Sequence, residues 1–163
     1  MCNFSNLLIY SYKYKKLTTI TNGKTRTWTH TKLKKATYYK YVVKAYKLVN
    51  GKKVITDTSV SVHAVTKGGN YGVAKAVSIT KIGNKKNVTE ITLKKGKTAQ
   101  ITATEVKKDK KIKHHRKLCY ESSNIKVATV TANGMIKATG KGSCTIWVYA
   151  QNGVYKAITV TVK

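Results

Sequence analysis

Four Asn-Gly pairs divide the chain: Asn22-Gly23, Asn50-Gly51, Asn133-Gly134 and Asn152-Gly153. Each lies between segments rich in β-branched or aromatic residues, and Asn-Gly tolerates the positive φ angles of a two-residue hairpin turn, so each predicts antiparallel strands. Thr, Val and Ile make up about a third of the 163 residues and Tyr adds 11, a bias that favours strands. Proline is absent, and no segment combines helical apolar spacing with caps over more than two turns.

Alternation then sorts the strands. Tyr39, Tyr41, Val43 and Ala45 share one face and Tyr38, Lys40, Val42 and Lys44 the other, the pattern of a central strand. Beyond Asn50-Gly51 the chain returns to Val65. There Val60, Val62 and Ala64 are expected to face inward, and Ser61 and His63 outward into solvent. Lys67 to Gly72 reads Lys-Gly-Gly-Asn-Tyr-Gly, the composition of a short joint. A second series of strands starts near Val77, with Ala99, Ile101 and Ala103, then Leu118 and Tyr120, then Ile158, Val160 and Val162 as inward positions. The boundaries are therefore set at 1–67 and 77–163, with 68–76 as linker.

Charge narrows the function. Lysine and arginine number 33 against five acids, a net charge of +28, and the five acids (Asp57, Glu90, Glu105, Asp109 and Glu121) are far apart in the chain. Acid/base chemistry generally needs paired carboxylates or a carboxylate beside a histidine, so the chain is expected not to be an enzyme and to need no cofactor. Positive charge is spread along the length: residues 1–67 carry fourteen basic residues and one acid, residues 68–163 nineteen and four. Such a chain is drawn to polyanions with an affinity that falls as salt rises. All the cations except Arg26 and Arg116 are lysines, which act as solvated point charges and form no bidentate forks, so the attraction is diffuse. On strands, lysines also discourage edge-to-edge pairing.

Few residues could do chemistry. The three cysteines, Cys2, Cys119 and Cys144, match no zinc or redox spacing. His114, His115, Cys119 and Glu121 form the one local group of metal-ligand types, yet adjacent histidines on a strand point to opposite faces, so no metal site is expected. A Cys/His nucleophile from the same residues lacks an orienting third group and an oxyanion hole. No apolar stretch approaches the roughly 20 residues that cross a bilayer, and Met1 to Tyr14 has no secretory signal pattern, so any export signal is expected elsewhere.

The segment "WTHTKLKKATYYKYVVKAY" resembles the E-to-F region of a fibronectin type III domain, with Leu33 before the turn and Tyr39 opening strand F. The resemblance implies that Tyr39 is a corner tyrosine whose hydroxyl bonds back to the backbone, with Trp28, Tyr41, Val43 and Ala45 in the core. It also implies that the chain begins near strand C, at Phe4 to Tyr12, without strands A and B. Part of the inner face at Ile9, Tyr41 and Val43 is then uncovered, and residues 1–67 are expected to be less resistant to proteolysis than 77–163.

The segment "YESSNIKVATVTANGMIKATGKGSCTIWVYAQNG" resembles the bacterial Ig-like domain, group 2, of cell-surface proteins and of intimin- and invasin-class adhesins. Its marks are Tyr120 before Ser-Ser-Asn, Val127-Ala128-Thr129-Val130, Gly134 with Ile136 and Ala138, then Gly140 and Gly142. The fold so implied is all-β: two tandem Ig-like β-sandwiches, the first incomplete. Cys119 would face outward and Cys144 inward, which argues against a disulfide between them and for free thiols.

The function implied is that of non-catalytic modules of a Gram-positive surface or secreted protein, extracellular or in the cell wall. They would serve as spacer, wall-association or adhesion unit beside neighbouring modules of a larger protein. Anionic wall polymers such as teichoic acids, or host and cell-surface ligands, are the expected partners, with no binding residue nominated. The alternative is a basic nucleic-acid-binding β module, suggested by tyrosines among lysines in "YYKYVVKAYK"; alternation counts against it, because Tyr39 and Tyr41 fall on the face assigned to the core.

Overall fold

The computed structural model describes residues 7–10, 15–25 and 27–163, with the side chains of Leu7–Tyr10 left out. Phe4, Tyr12, Cys2, Arg26 and the Ile9 side chain therefore lie outside what is described. The described residues form strands and no helix, and the chain divides into two units, Met1–Gly68 and Gly69–Lys163. No helix among the described residues is long and apolar enough to cross a membrane.

In the first unit, strands β1 (Leu7–Tyr10), β2 (Lys16–Ile20), β3 (Tyr38–Val49), β4 (Lys52–Thr58) and β5 (Val62–Val65) make one antiparallel sheet in the order β2-β1-β3-β4, with β5 pairing the first part of β3. Asn50 and Gly51 have φ of 51° and 74°, the conformation a tight hairpin between β3 and β4 requires. Asn22-Gly23 also turns, with Thr25 N–H donating to Asn22 O at 3.0 Å, but the chain leads on into irregular structure and forms no hairpin there.

The face assignment in this unit is corrected by the structure. Val62 pairs with Tyr41 and Ala64 with Tyr39, so the predicted sharing of faces holds, yet Val62 is 62% exposed while His63 is only 3% exposed. His63 is not in solvent: its Nε2 lies 2.8 Å from the hydroxyl of the equally buried Ser61. Alternation reports which side chains share a face, and carries no information on which face the rest of the chain covers.

The second unit is a sandwich. One sheet has the order β10 (Cys119–Ser122), β13 (Gly142–Tyr149), β14 (Tyr155–Val162), β8 (Glu90–Leu93); the other has β11 (Ala128–Val130), β12 (Met135–Ala138), β9 (Thr98–Lys107), β6 (Ala74–Ile82), β7 (Lys85–Lys86). All pairings are antiparallel except β8 with β14. β6 begins at Ala74, inside the stretch read as a joint. Asn133-Gly134 and Asn152-Gly153 lie in the connections of the β11–β12 and β13–β14 hairpins, which are longer than two residues and in which only the glycines, with φ of 81° and 94°, take the left-handed conformation.

Between the sheets, Ile82, Ile136, Ile146, Ile158, Val148, Val160 and Val162 are fully buried, all but Ile82 on the inward parity of their strands and Ile82 turned inward by the irregularity between Ile79 and Lys81. Burial of each such side chain contributes about 1.5–3 kcal/mol, which makes this layer the main source of the unit's stability. Tyr120 and Leu118 pack against it and Cys144 lies within it, as expected. Cys119 is half-buried on the other face, and both thiols are free.

Candidate functional site

The residues singled out as possible ligands or nucleophiles are engaged in packing and hydrogen bonds. His115 Nδ1 lies 2.5 Å from Glu105 Oε1, and the ring covers Gly72 so closely that a Cβ there would stand 1.9 Å from Nε2. Gly72 N–H donates to His114 O at 2.7 Å, and the His114 ring meets Tyr71 edge-on with centroids 4.7 Å apart. The two histidines thus tie the loop before β10 to the residues that lead into β6. Cys119, at the start of β10, accepts a hydrogen bond from Gln151 Nε2 at 2.7 Å. Glu121 is two residues further along the same strand face. Among the described residues no three His, Cys, Asp or Glu side chains converge to hold a metal ion.

An open cleft of about 400 Å³ lies in the second unit, where Ile82, Ile91, Leu93, Ala99 and Met135 share the lining with polar residues such as Asn84. The Gln100 amide at its wall already donates to Ile101 O and Asn133 O, and the titratable side chain in its lining is Lys85. Such a lining offers shape and a cation but no acid, thiol or imidazole to move a proton.

Tyr149 shows how the outer face of the β10-β13-β14 sheet is closed. It pairs with Cys119 on one side and Tyr155 on the other, and is 5% exposed despite its outward parity. Burial, then the charge of Glu121, then Tyr155 push its hydroxyl up to about 12. The folded state therefore holds this proton more tightly than the unfolded chain, whose tyrosines ionise near 10. The stabilisation is complete below pH 10 and is lost as pH rises toward 12. A thermal melt at pH 9 and at pH 11 is expected to show a fall in midpoint that Tyr149→Phe reduces; an equal fall in both proteins would show that Tyr149 does not contribute.

In the first unit an aromatic set gathers on β3. Tyr39 and Tyr41 stack with centroids 6.0 Å apart and planes 7° apart, His30 meets both edge-on, and Trp28 stacks on His30. Lys34 N–H donates to the Tyr39 hydroxyl at 3.0 Å, the backbone bond expected of a corner tyrosine, and His30 Nδ1 lies 3.0 Å from the Tyr41 hydroxyl. Burial, then Tyr39, raise the Tyr41 hydroxyl above its ordinary value. Both tyrosines are half-buried and share their face with the exposed Val62 and Ala64, so the face assigned to the core is partly open, while their hydroxyls are engaged by Lys34 N–H and His30. Trp28, expected in the core, is 37% exposed and caps this set from outside. Its two-residue spacing from His30 was the available sign that an extended segment lays both rings on one side.

Against this interior the described lysines lie outside. No described lysine is buried, and all are exposed except the half-buried Lys40, Lys44 and Lys107. A surface dominated by solvated lysine charges attracts anions diffusely.

The turn and bend residues of the second unit give its sequence motif a structural reading. Ser123 N–H donates to Thr145 O at 2.8 Å, Thr145 N–H returns to Ser123 Oγ at 2.9 Å, and Asn124 O accepts from Val127 and Ala128. Gly140 passes so close to Lys126 O that a Cβ would lie 2.6 Å from it, and at Gly134, with φ of 81°, a Cβ would lie 2.9 Å from the Tyr120 ring. Residues 79–162 match the family model for the bacterial Ig-like domain (group 2), about half of the chain. The chain belongs to this family.

The bacterial Ig-like domain begins within β6 and runs to the penultimate residue, so the match spans nearly all of the second unit. No curated protein matches the chain. Among solved structures, an intimin mutant from EHEC O157:H7 is 21% identical, with 52% of this chain and 42% of that chain covered and a TM-score of 0.36. Domains 4 and 5 of the S-layer protein SbsC are 18% identical, with 78% and 65% covered and a TM-score of 0.43. A C-terminal intimin fragment in complex with the translocated intimin receptor's intimin-binding domain is 16% identical, with 99% and 53% covered and a TM-score of 0.41. The chain thus spans less than two thirds of the length of each of these.

Proposed function

We propose that the chain is a pair of non-catalytic modules of a surface or secreted protein in a Gram-positive envelope, acting as a spacer and wall-association unit. The observation that supports this most is the division of labour among side chains: the aliphatic residues of the second unit are spent between its sheets, its histidines and thiols are engaged in local packing, and its exterior is lysine. A closed sandwich holds neighbouring segments apart, and its charge draws it toward anionic wall polymers such as teichoic acids. The first unit is read here as a fibronectin type III-like module, a reading supported by the Lys34-to-Tyr39 corner bond. Residues 1–67 and 77–163 are the two modules in this reading.

The test is binding of the purified chain to isolated walls before and after extraction of their teichoic acids. Binding is expected to fall by at least about tenfold on the extracted walls at low salt. Undiminished binding would refute the electrostatic part and would favour recognition of a sugar or protein by loops at the ends of the sandwich.

A further inference from the structure

We propose that the β3–β4 hairpin is an interfacial element that docks on anionic lipid bilayers. The last residues of β3 and the whole of β4 are exposed on both faces, so among the described residues the hairpin tip stands out from its own sheet. Four aliphatic side chains flank the two-residue turn there: Leu48 is 59% exposed, Val54 and Ile55 each 43%, and Val49 41%. Leu48 and Ile55 lie on one face of the ribbon and Val49 and Val54 on the other, so the tip, where Leu48 and Val49 flank the turn, is apolar on both sides.

The register interleaves these groups with cations. Leu48 stands opposite Lys53, Val49 opposite Lys52, and Val54 opposite Lys47, so each of these three aliphatic side chains has an ammonium as its cross-strand neighbour. Lys53 Nζ sits 4.9 Å from the centroid of the Tyr46 ring, its stem laid along the hairpin. The one acid of this unit, Asp57, is at the far end of β4, where its Oδ1 accepts the Thr58 N–H at 2.7 Å.

A soluble polyanion would neutralise the lysines and leave all four aliphatic side chains in water. A bilayer surface that meets the hairpin edge-on at its tip satisfies both sets there, because the stems of Lys52 and Lys53 snorkel to anionic headgroups while Leu48 and Val49, one on each face beside the turn, reach the acyl boundary. The strand backbone limits the depth: the outward N–H and C=O groups of an edge strand need water or headgroups, so contact stops at the interface and does not enter the hydrocarbon.

The test uses the full chain with vesicles of phosphatidylcholine containing about a third phosphatidylserine, vesicles of phosphatidylcholine alone, and polyphosphate as a soluble polyanion. Leu48→Ser with Val49→Ser is expected to weaken binding to the anionic vesicles about tenfold and to leave polyphosphate binding unchanged. Since both residues are exposed, the variant is expected to keep the circular dichroism spectrum of the parent. Separately, Leu48→Trp is expected to add emission that shifts to the blue on anionic vesicles and is quenched by brominated acyl chains. Equal loss on vesicles and polyphosphate, no loss on either, an unshifted emission from the introduced tryptophan, or equally tight binding to the neutral vesicles would each overturn the proposal.

Discussion

Ile158→Ala is expected to cost the second unit about 2–5 kcal/mol, because a fully buried side chain is removed from a layer that cannot collapse around the gap. Ile158 lies mid-strand on β14 directly opposite Ile146, which is also fully buried, and sheets on both sides hold the cavity open. A domain of under 100 residues loses about 4–8 °C of midpoint per kcal/mol, so a thermal melt of the variant is expected to show a fall of at least about 8 °C. The same truncation at Val54, on the exposed hairpin, is expected to change stability by no more than about 0.5 kcal/mol. Comparable effects at the two positions would contradict the assignment of the core.

The next largest loss is expected from Gly140→Ala. The added methyl would meet the Lys126 carbonyl oxygen, a backbone atom that no side-chain rotation can move aside. The two segments are also strapped together: Thr139 and Gly140 N–H both donate to Val127 O, at 2.8 and 3.2 Å, and Thr139 Oγ1 donates to Ile125 O at 2.8 Å. Either the straps lengthen or β11 shifts against the buried Val127 and Ala128, and the expected cost is about 1–3 kcal/mol. Urea unfolding followed by circular dichroism measures it. An unchanged midpoint with an unchanged slope would mean that the close approach at Gly140 does not constrain the fold.

These two positions also mark what could be read from residues alone. Asn-Gly pairs announced three hairpins because the turn's positive φ angles are a local property, and the inward parity of Ile158, Val160 and Val162 follows from a period of two. Family signature and physics coincide at Gly134 and Gly140, where the glycines are set by close approach. Burial of His63 and Ser61 was illegible, because it depends on which face of the sheet is covered. The expectation that Trp28 lies in the core failed for the same reason: apolar character favours burial but does not name the neighbour that provides it. The Glu105–His115 contact joins β9 to a loop ten residues on, with no periodicity to link them, and Gly72 completes it from a third segment. The spread of lysine over the exterior, by contrast, was readable at once, since a cation that has no acid to pair with stays in water.

The central claim is that attraction to soluble polyanions resides in this diffuse lysine charge. It is tested most directly by titrating the full chain with polyphosphate, duplex DNA and polyglutamate between about 50 and 200 mM salt. Affinity for each is expected to fall by about a thousandfold or more over that range where six or more anionic groups are contacted, and the polymers are expected to rank by charge density. Binding to one of them that persists at the upper end of that range, or that exceeds the others about tenfold at matched charge density, would contradict it.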